Sequence, residues 1–185
     1  MLNQIPNMLT VIRLVLIGPF VLFLFNRHYE YAFYICLIAA LSDLLDGQLA
    51  RWFAWQTDFG KIIDPIADKL LIATSFISLA ILQLLPWWLV VLIFSRDFII
   101  SLGFIAWCLL IPQKPDLKPT YISKLNTFFQ LTVLIVCLFE QAFICHIPYL
   151  LPILVGLTAT TTTITLFDYV WTWGRKAWHQ RISHQ

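Results

Sequence analysis

Charge is what this chain lacks. Only 12% of its 185 residues are Asp, Glu, Lys or Arg, about half the share found in a water-soluble domain. Together with 60% hydrophobic residues and a mean hydropathy of +0.81, that scarcity excludes an ordinary soluble fold and points to a polytopic helical membrane protein. A strong net charge is missing too: +2 is too small to imply a nucleic-acid partner. Cys36, Cys108, Cys137 and Cys145 lack metal-ligand spacing and fall in apolar stretches. They read as small packing residues, which argues against a disulfide framework. The opening residues MLNQIPNMLT have neither the basic n-region of a signal peptide nor the Arg/Ser-rich pattern of a transit peptide, so the first apolar stretch reads as a retained membrane helix. No internal repeat is found, and the length suits one domain, 1–185.

What is present is a succession of apolar blocks of roughly spanning length, about 20 residues each. They run over 8–25, 31–50, 59 to the break at Pro86, 87–111, 121–139 and 149–170, and a basic tail follows. The expected fold is therefore all-α, with six transmembrane helices. Arg51, Lys61, Lys114, Lys118, Lys124, Arg175, Lys176 and Arg181 fall on one side of that arrangement, and Arg27 on the other. By the positive-inside rule both termini are cytoplasmic. Trp87, Trp88, Tyr149, Trp171 and Trp173, near helix ends, read as interfacial anchors. The hydroxyls of Thr160 to Thr163, inside the sixth block, are expected to bond back to the preceding turn.

Against this background the stretch SDLLDGQLARWFAWQTDFGKIIDPIADK stands out. Asp43, Asp46, Gly47 and Ala50 share one helical face by i, i+3, i+4, i+7 spacing; Gly60, Asp64 and Asp68 share a face of the next helix by i, i+4, i+8 spacing. Two helices can thus aim four acids at one volume near the cytoplasmic surface. Unpaired at the bilayer centre, each acid would cost about 2.5–3.5 kcal/mol. An all-oxygen cluster suits hard divalent cations, Mg²⁺ or Mn²⁺, two of them here. The competing reading is a structural ion-pair network with Arg51, Lys61 and Lys69. Four acids at helical spacing inside membrane segments argue against it. Asp58 and Lys69 read as helix-end or solvated charges.

Written out, the stretch is D-x2-D-G-x2-A-R-x8-G-x3-D-x3-D. This resembles the signature of the CDP-alcohol phosphatidyltransferases, integral-membrane enzymes that join a CDP-activated group to an alcohol, and every fixed position is met. The resemblance implies a six-helix fold, a homodimer and a two-metal site. It makes Asp43, Asp46, Asp64 and Asp68 metal ligands, with Asp68 also the general base on the acceptor hydroxyl. It places the nucleotide against Asp43, Gly47, Arg51 and Gly60, with Thr57 and Asn7 as further contacts. Glycine at 47 and 60 would let the nucleotide approach the helices closely, and the forked guanidinium of Arg51 suits a phosphate or an acidic ligand. CDP-diacylglycerol is the implied donor, and CMP the leaving group.

Two later stretches bear on the acceptor. Ser95-Arg96-Asp97 sets a cation and an acid in mid-segment, and LKPTYISKLNT opens the fifth block. Both resemble the cardiolipin synthases of the CDP-alcohol type, as does the GRK at Gly174 to Lys176, and that resemblance implies phosphatidylglycerol as acceptor. Arg96, Lys118, Lys124 and Arg175 are the candidate acceptor-phosphate residues, with Asp97 orienting Arg96. The same lysines would equally anchor a loop at anionic headgroups, and Arg175 could snorkel. Phosphatidylglycerophosphate synthase, with glycerol 3-phosphate as acceptor, is the rival within the family. An ion or proton channel, or a transporter, is the rival outside it, though no repeat symmetry points that way. The expected location is a bacterial inner membrane, multi-pass, with the site facing the cytoplasm and membrane lipids around it; a processed mitochondrial protein would look similar.

Overall fold

The computed structural model describes residues 5–53, 58–110 and 121–182, with side chains described for 11–42, 67–103, 121–169 and 171. It is all-helical, and no strand occurs among the described residues. Six helices follow in order among the described residues: α1 (Ile5–Phe25), α2 (Tyr29–Phe53), α3 (Asp58–Ile81), α4 (Trp87–Leu110), α5 (Tyr121–Phe143) and α6 (Leu150–Ile182). Each coincides with one apolar block of the sequence. Among the described residues, Tyr121–Phe143 and Leu150–Tyr169 are long and apolar enough to cross a membrane; Val11–Phe25 and Tyr29–Ser42 are shorter apolar helices.

The helices form two compact units. The first comprises Met1–Pro86 and Leu134–Pro148; the second comprises Trp87–Val133 and Tyr149–Gln185. In the first unit α1 packs against both α2 and α3. The inward face of α2 is made of small residues, Ala32, Cys36 and Ala39, at i, i+4, i+7 spacing, all fully buried. Small side chains let helix backbones approach where lipid supplies no hydrophobic drive for association. Phe20 and Leu24 of α1 and Leu71, Phe76 and Leu79 of α3 complete this core. Phe33 of α2 meets Phe139 and Phe143 of α5 edge-on, with centroids 5.8 and 5.6 Å apart.

In the second unit α4 packs on α6. Leu89, Val90 and Ile93 of α4 are buried, and so are Thr158, Thr162 and Thr165 of α6. The threonine hydroxyls bond back to the carbonyls of Leu154, Thr158 and Thr161 at 2.7–2.8 Å. Thr160 and Thr163 do the same toward Gly156 and Ala159, as the sequence predicts. Asn126 Oδ1 of α5 lies 3.0 and 2.7 Å from the hydroxyls of Thr161 and Thr162. Polar side chains therefore sit inside while Val15, Leu22, Val91, Phe98, Phe128 and Phe167 point outward. That distribution is the one a hydrocarbon solvent selects.

Two connections are closed by the same device. His28 N–H donates to Phe23 O and Arg27 N–H to Leu24 O; Leu84 N–H donates to Leu79 O and Gln83 N–H to Ala80 O. Both are Schellman caps. Their left-handed positions are held by Arg27 (φ 59°) and Gln83 (φ 60°), where glycine would carry no Cβ penalty. Gln83→Gly is accordingly expected to stabilise the chain by about 1 kcal/mol, read as a raised thermal midpoint in detergent. A lower midpoint would mean the Gln83 side chain makes a contact of greater weight than the backbone strain.

Three details depart from the sequence expectation. Glu140, read as part of a polar break, lies inside α5 and is buried, with Oε2 at 3.4 Å from His146 Nδ1. Flanking Phe139 and Phe143 carry the helix one turn further. The basic tail is helical to Ile182, beyond the end of the apolar block at 170. At 33 residues, α6 is roughly 50 Å long against a hydrocarbon core of about 30 Å. Cys145 is exposed in the α5–α6 connection rather than packed, whereas Cys36 and Cys137 are buried as expected; the Cys108 side chain lies outside the described residues.

Candidate active site

Among the described residues, the first unit holds an ion pair between α1 and α3. Ala32, Cys36 and Ala39 are the buried positions among the described side chains of α2. Along α3, Ala67, Leu71 and Ser75 form a buried stripe. The inward face of α1 bears Arg13, Phe20 and Leu24. Arg13 is 1% exposed, and its Nη1 donates to Oδ1 of Asp68 in α3, whose side chain is 39% exposed. A guanidinium withdrawn so completely from water must be paired, and α1 itself contains no acid.

Of the residues predicted for nucleotide and metal, Asp68 is the one whose side chain is described. Asn7 stands in the first turn of α1; Asp43, Asp46, Gly47 and Arg51 stand in α2; Gly60 and Asp64 stand in α3. Their side chains, and Thr57 altogether, lie outside the described residues. Among the described residues there is no group of three or more His, Cys, Asp or Glu that could hold a metal. As a donor set the four acids are carboxylates alone, with neither Cys nor His among them. Such a set fits a hard divalent cation in preference to zinc or copper. Lys69 is exposed, as a solvated charge should be, and α3 opens on Asp58.

In the second unit Arg96 of α4 is tied down on several sides. Nη1 donates to Asp97 Oδ1 at 2.6 Å and Nη2 to Ser123 Oγ at 2.7 Å, and the guanidinium carbon lies 6.0 Å from the centre of the Tyr169 ring. Asp97 thus touches Arg96, the residue it is expected to orient. Ser123 belongs to the LKPTYISKLNT stretch, so both stretches singled out for the acceptor meet at this hydrogen bond. Arg96 Nε is buried and makes no hydrogen bond among the described residues. Lys124 is exposed and lies over the Tyr121 ring at 5.8 Å. Arg175 stands in α6 with its side chain outside the described residues, and Lys118 lies outside them entirely.

Arg13 is the member of this constellation that sequence reasoning passed over. The signal was available: one Arg inside an apolar block, the same argument that singled out Arg96.

A family model described as CDP-alcohol phosphatidyltransferase matches residues 3–171. The chain belongs to that family. CDP-alcohol phosphatidyltransferases are membrane-bound enzymes that transfer phosphatidyl groups, generally with a divalent metal. Individual relatives divide by acceptor. A protein of Mycobacterium tuberculosis named probable phosphatidylglycerophosphate synthase is 33% identical over 173 residues, 90% of this chain and 80% of its own length. A Drosophila melanogaster protein named probable cardiolipin synthase (CMP-forming) is 34% identical over 187 residues, covering 90% of this chain. The Homo sapiens cardiolipin synthase (CMP-forming) is 33% identical over 187 residues, covering 93%. This phosphatidyltransferase chain spans 56% of the insect protein and 62% of the human one.

Proposed function

We propose that this chain transfers the phosphatidyl group of CDP-diacylglycerol to a hydroxyl of phosphatidylglycerol, releasing CMP and forming cardiolipin. The acceptor oxygen attacks the phosphorus that carries the diacylglycerol. The bond from that phosphorus to the bridging oxygen breaks, and CMP departs with the electron pair. Asp68 takes the proton of the attacking hydroxyl, since an alcohol is a poor nucleophile at neutral pH. Asp43, Asp46, Asp64 and Asp68 would hold two Mg²⁺ or Mn²⁺ ions, which supply charge stabilisation for the pyrophosphate when bound. Asn7, Asp43, Gly47, Arg51, Thr57 and Gly60 line the nucleotide; Arg96, Lys118, Lys124 and Arg175 bind the acceptor phosphate. The whole chain works as one catalytic domain of six membrane spans, with both termini and the site on the cytoplasmic side of a bacterial inner membrane, as a homodimer.

The observation that carries the choice of acceptor is the Arg96–Ser123 hydrogen bond. It joins a mid-segment cation to the LKPTYISKLNT stretch and supports a built site for an anionic headgroup. The mycobacterial relative favours the second reading, glycerol 3-phosphate as acceptor and phosphatidylglycerophosphate as product. Purified protein in vesicles, given labelled CDP-diacylglycerol and either acceptor, separates the two. Labelled cardiolipin from phosphatidylglycerol is expected; product from glycerol 3-phosphate alone would hand the case to the second reading. In the same assay Arg96→Ala is expected to lower kcat/KM for the acceptor about 10- to 100-fold, the weight of a charge-assisted hydrogen bond, with KM for CDP-diacylglycerol little changed. Native acceptor kinetics in that variant would remove Arg96 from the acceptor site.

A further inference from the structure

We propose that Gln130 is a specificity-determining residue for the acceptor: its side-chain amide donates a hydrogen bond to an ester carbonyl of a diacyl phospholipid held by its phosphate at Arg96. This rests on the reading of phosphatidylglycerol as the acceptor. Ser123, Asn126 and Gln130 follow i, i+3, i+7 spacing and share one face of α5. Arg96 Nη2 donates to Ser123 Oγ at 2.7 Å. Asn126 and Gln130, at 1% and 5% exposure, are the buried polar residues next along that face. A helical side chain leans toward the turn N-terminal to it, so the Gln130 amide lies over the turn that bears Asn126. That turn is about 5 Å along the axis from Ser123.

Amide groups withdrawn from water are costly unless they are hydrogen-bonded. The hydroxyls of Thr161 and Thr162 take one end of the Asn126 amide, at 3.0 and 2.7 Å, and fix that side chain against α6. The other end, and Nε2 of Gln130, are buried and make no hydrogen bond among the described residues. Two amides one turn apart could have closed on each other, and packing alone would then account for them. No hydrogen bond joins them among the described residues. Gln130 Nε2 thus keeps its N–H groups without an acceptor, and Arg96 Nε of α4 is a buried donor in the same position. A ligand that answers such donors is rich in oxygen. A phosphodiester followed, a few bonds on, by ester carbonyls has that pattern, and it is the pattern of a diacyl phospholipid. Glycerol 3-phosphate carries no carbonyl.

The test compares native protein, Gln130→Met and Gln130→Asn in lipid nanodiscs. Each is given phosphatidylglycerol in its diester form and in a diether form, in which alkyl ethers replace the ester carbonyls. Transfer from labelled CDP-diacylglycerol is read as kcat/KM for the acceptor. Native protein is expected to favour the diester about tenfold, the effect of leaving a buried donor without its acceptor. Gln130→Met keeps the length of the side chain and removes its donors. It is expected to lose about tenfold on the diester and little on the diether, so that the preference disappears. Gln130→Asn draws the amide back by one methylene and should lose the preference too; it decides alone if Gln130→Met fails to fold. KM for CDP-diacylglycerol should stay within about twofold in both, since acceptor recognition leaves donor binding alone. Equal use of the two lipids by native protein, or an undiminished preference in a folded variant, would overturn the proposal and leave Gln130 a packing residue. A loss that appears in KM for CDP-diacylglycerol would overturn it as well, assigning Gln130 to the donor. Native protein that forms product from glycerol 3-phosphate and from neither phosphatidylglycerol would instead bring down the acceptor reading on which the proposal stands.

Discussion

Asp68→Asn is expected to slow CMP release from CDP-diacylglycerol by about 10²- to 10⁴-fold, the usual contribution of a positioned general base. Asparagine keeps the volume of the side chain and one acceptor oxygen, but it cannot take up a proton at neutral pH. The substitution has a second consequence that must be measured apart. Arg13, 1% exposed, would then lose a charged contact, and weakening a buried charge pair is destabilising. Turnover is therefore to be expressed per CDP-diacylglycerol site, with the thermal midpoint recorded in parallel. A lower midpoint with a full complement of donor sites and lost turnover is the expected pattern. More than one-tenth of native turnover per site would place the base elsewhere on the chain.

The extent to which these features are legible in sequence follows from the solvent. In hydrocarbon every backbone polar group must be bonded within its segment, so an apolar block of spanning length has helix as its one outcome. All six helices start within a few residues of the blocks' edges for that reason, from Ile5 for α1 to Leu150 for α6. Ends fixed by side chains are less legible. Glu140 looked like a stop signal and is instead a buried residue of α5, 3.4 Å from His146 Nδ1. The histidine that lies near it comes from the following connection, and no periodicity reports it.

The same division holds within the site. The four aspartates and the glycines among them are proposed from spacing along two helices, and of these only Asp68 has its side chain among the described residues. Arg13 has no such spacing, because its meaning lies in a partner 55 residues away. A lone arginine in an apolar block says that a counterion exists and leaves its identity to the fold. Asn126 is likewise silent in sequence, being an ordinary polar residue in a helix-opening segment until its Oδ1 is found beside Thr161 and Thr162. Asp97, by contrast, could be assigned to Arg96 from adjacency, and the 2.6 Å contact agrees.

Chelation is expected to cost the native protein about 10³-fold or more in CMP release, with full recovery on adding Mg²⁺ or Mn²⁺. The magnitude follows from a metal's several kcal/mol of charge stabilisation, at 1.36 kcal/mol for each tenfold in rate. The expectation also has a consequence independent of turnover. If the four carboxylates converge as proposed, they repel one another in a medium of low dielectric, so a divalent cation that binds the folded chain should raise its thermal midpoint as concentration passes the dissociation constant. Asp64→Asn, which removes one carboxylate donor, should weaken both responses together: a smaller midpoint shift at a given Mg²⁺ concentration and activity that excess Mg²⁺ does not bring back to native. Arg96→Ala, in the other unit, should keep the native midpoint shift even where its acceptor kinetics fail. Turnover that survives exhaustive chelation, or a midpoint indifferent to Mg²⁺ and Mn²⁺ alike, would leave the aspartates as partners for Arg13, Arg51 and their neighbours and remove the cation from the chemistry.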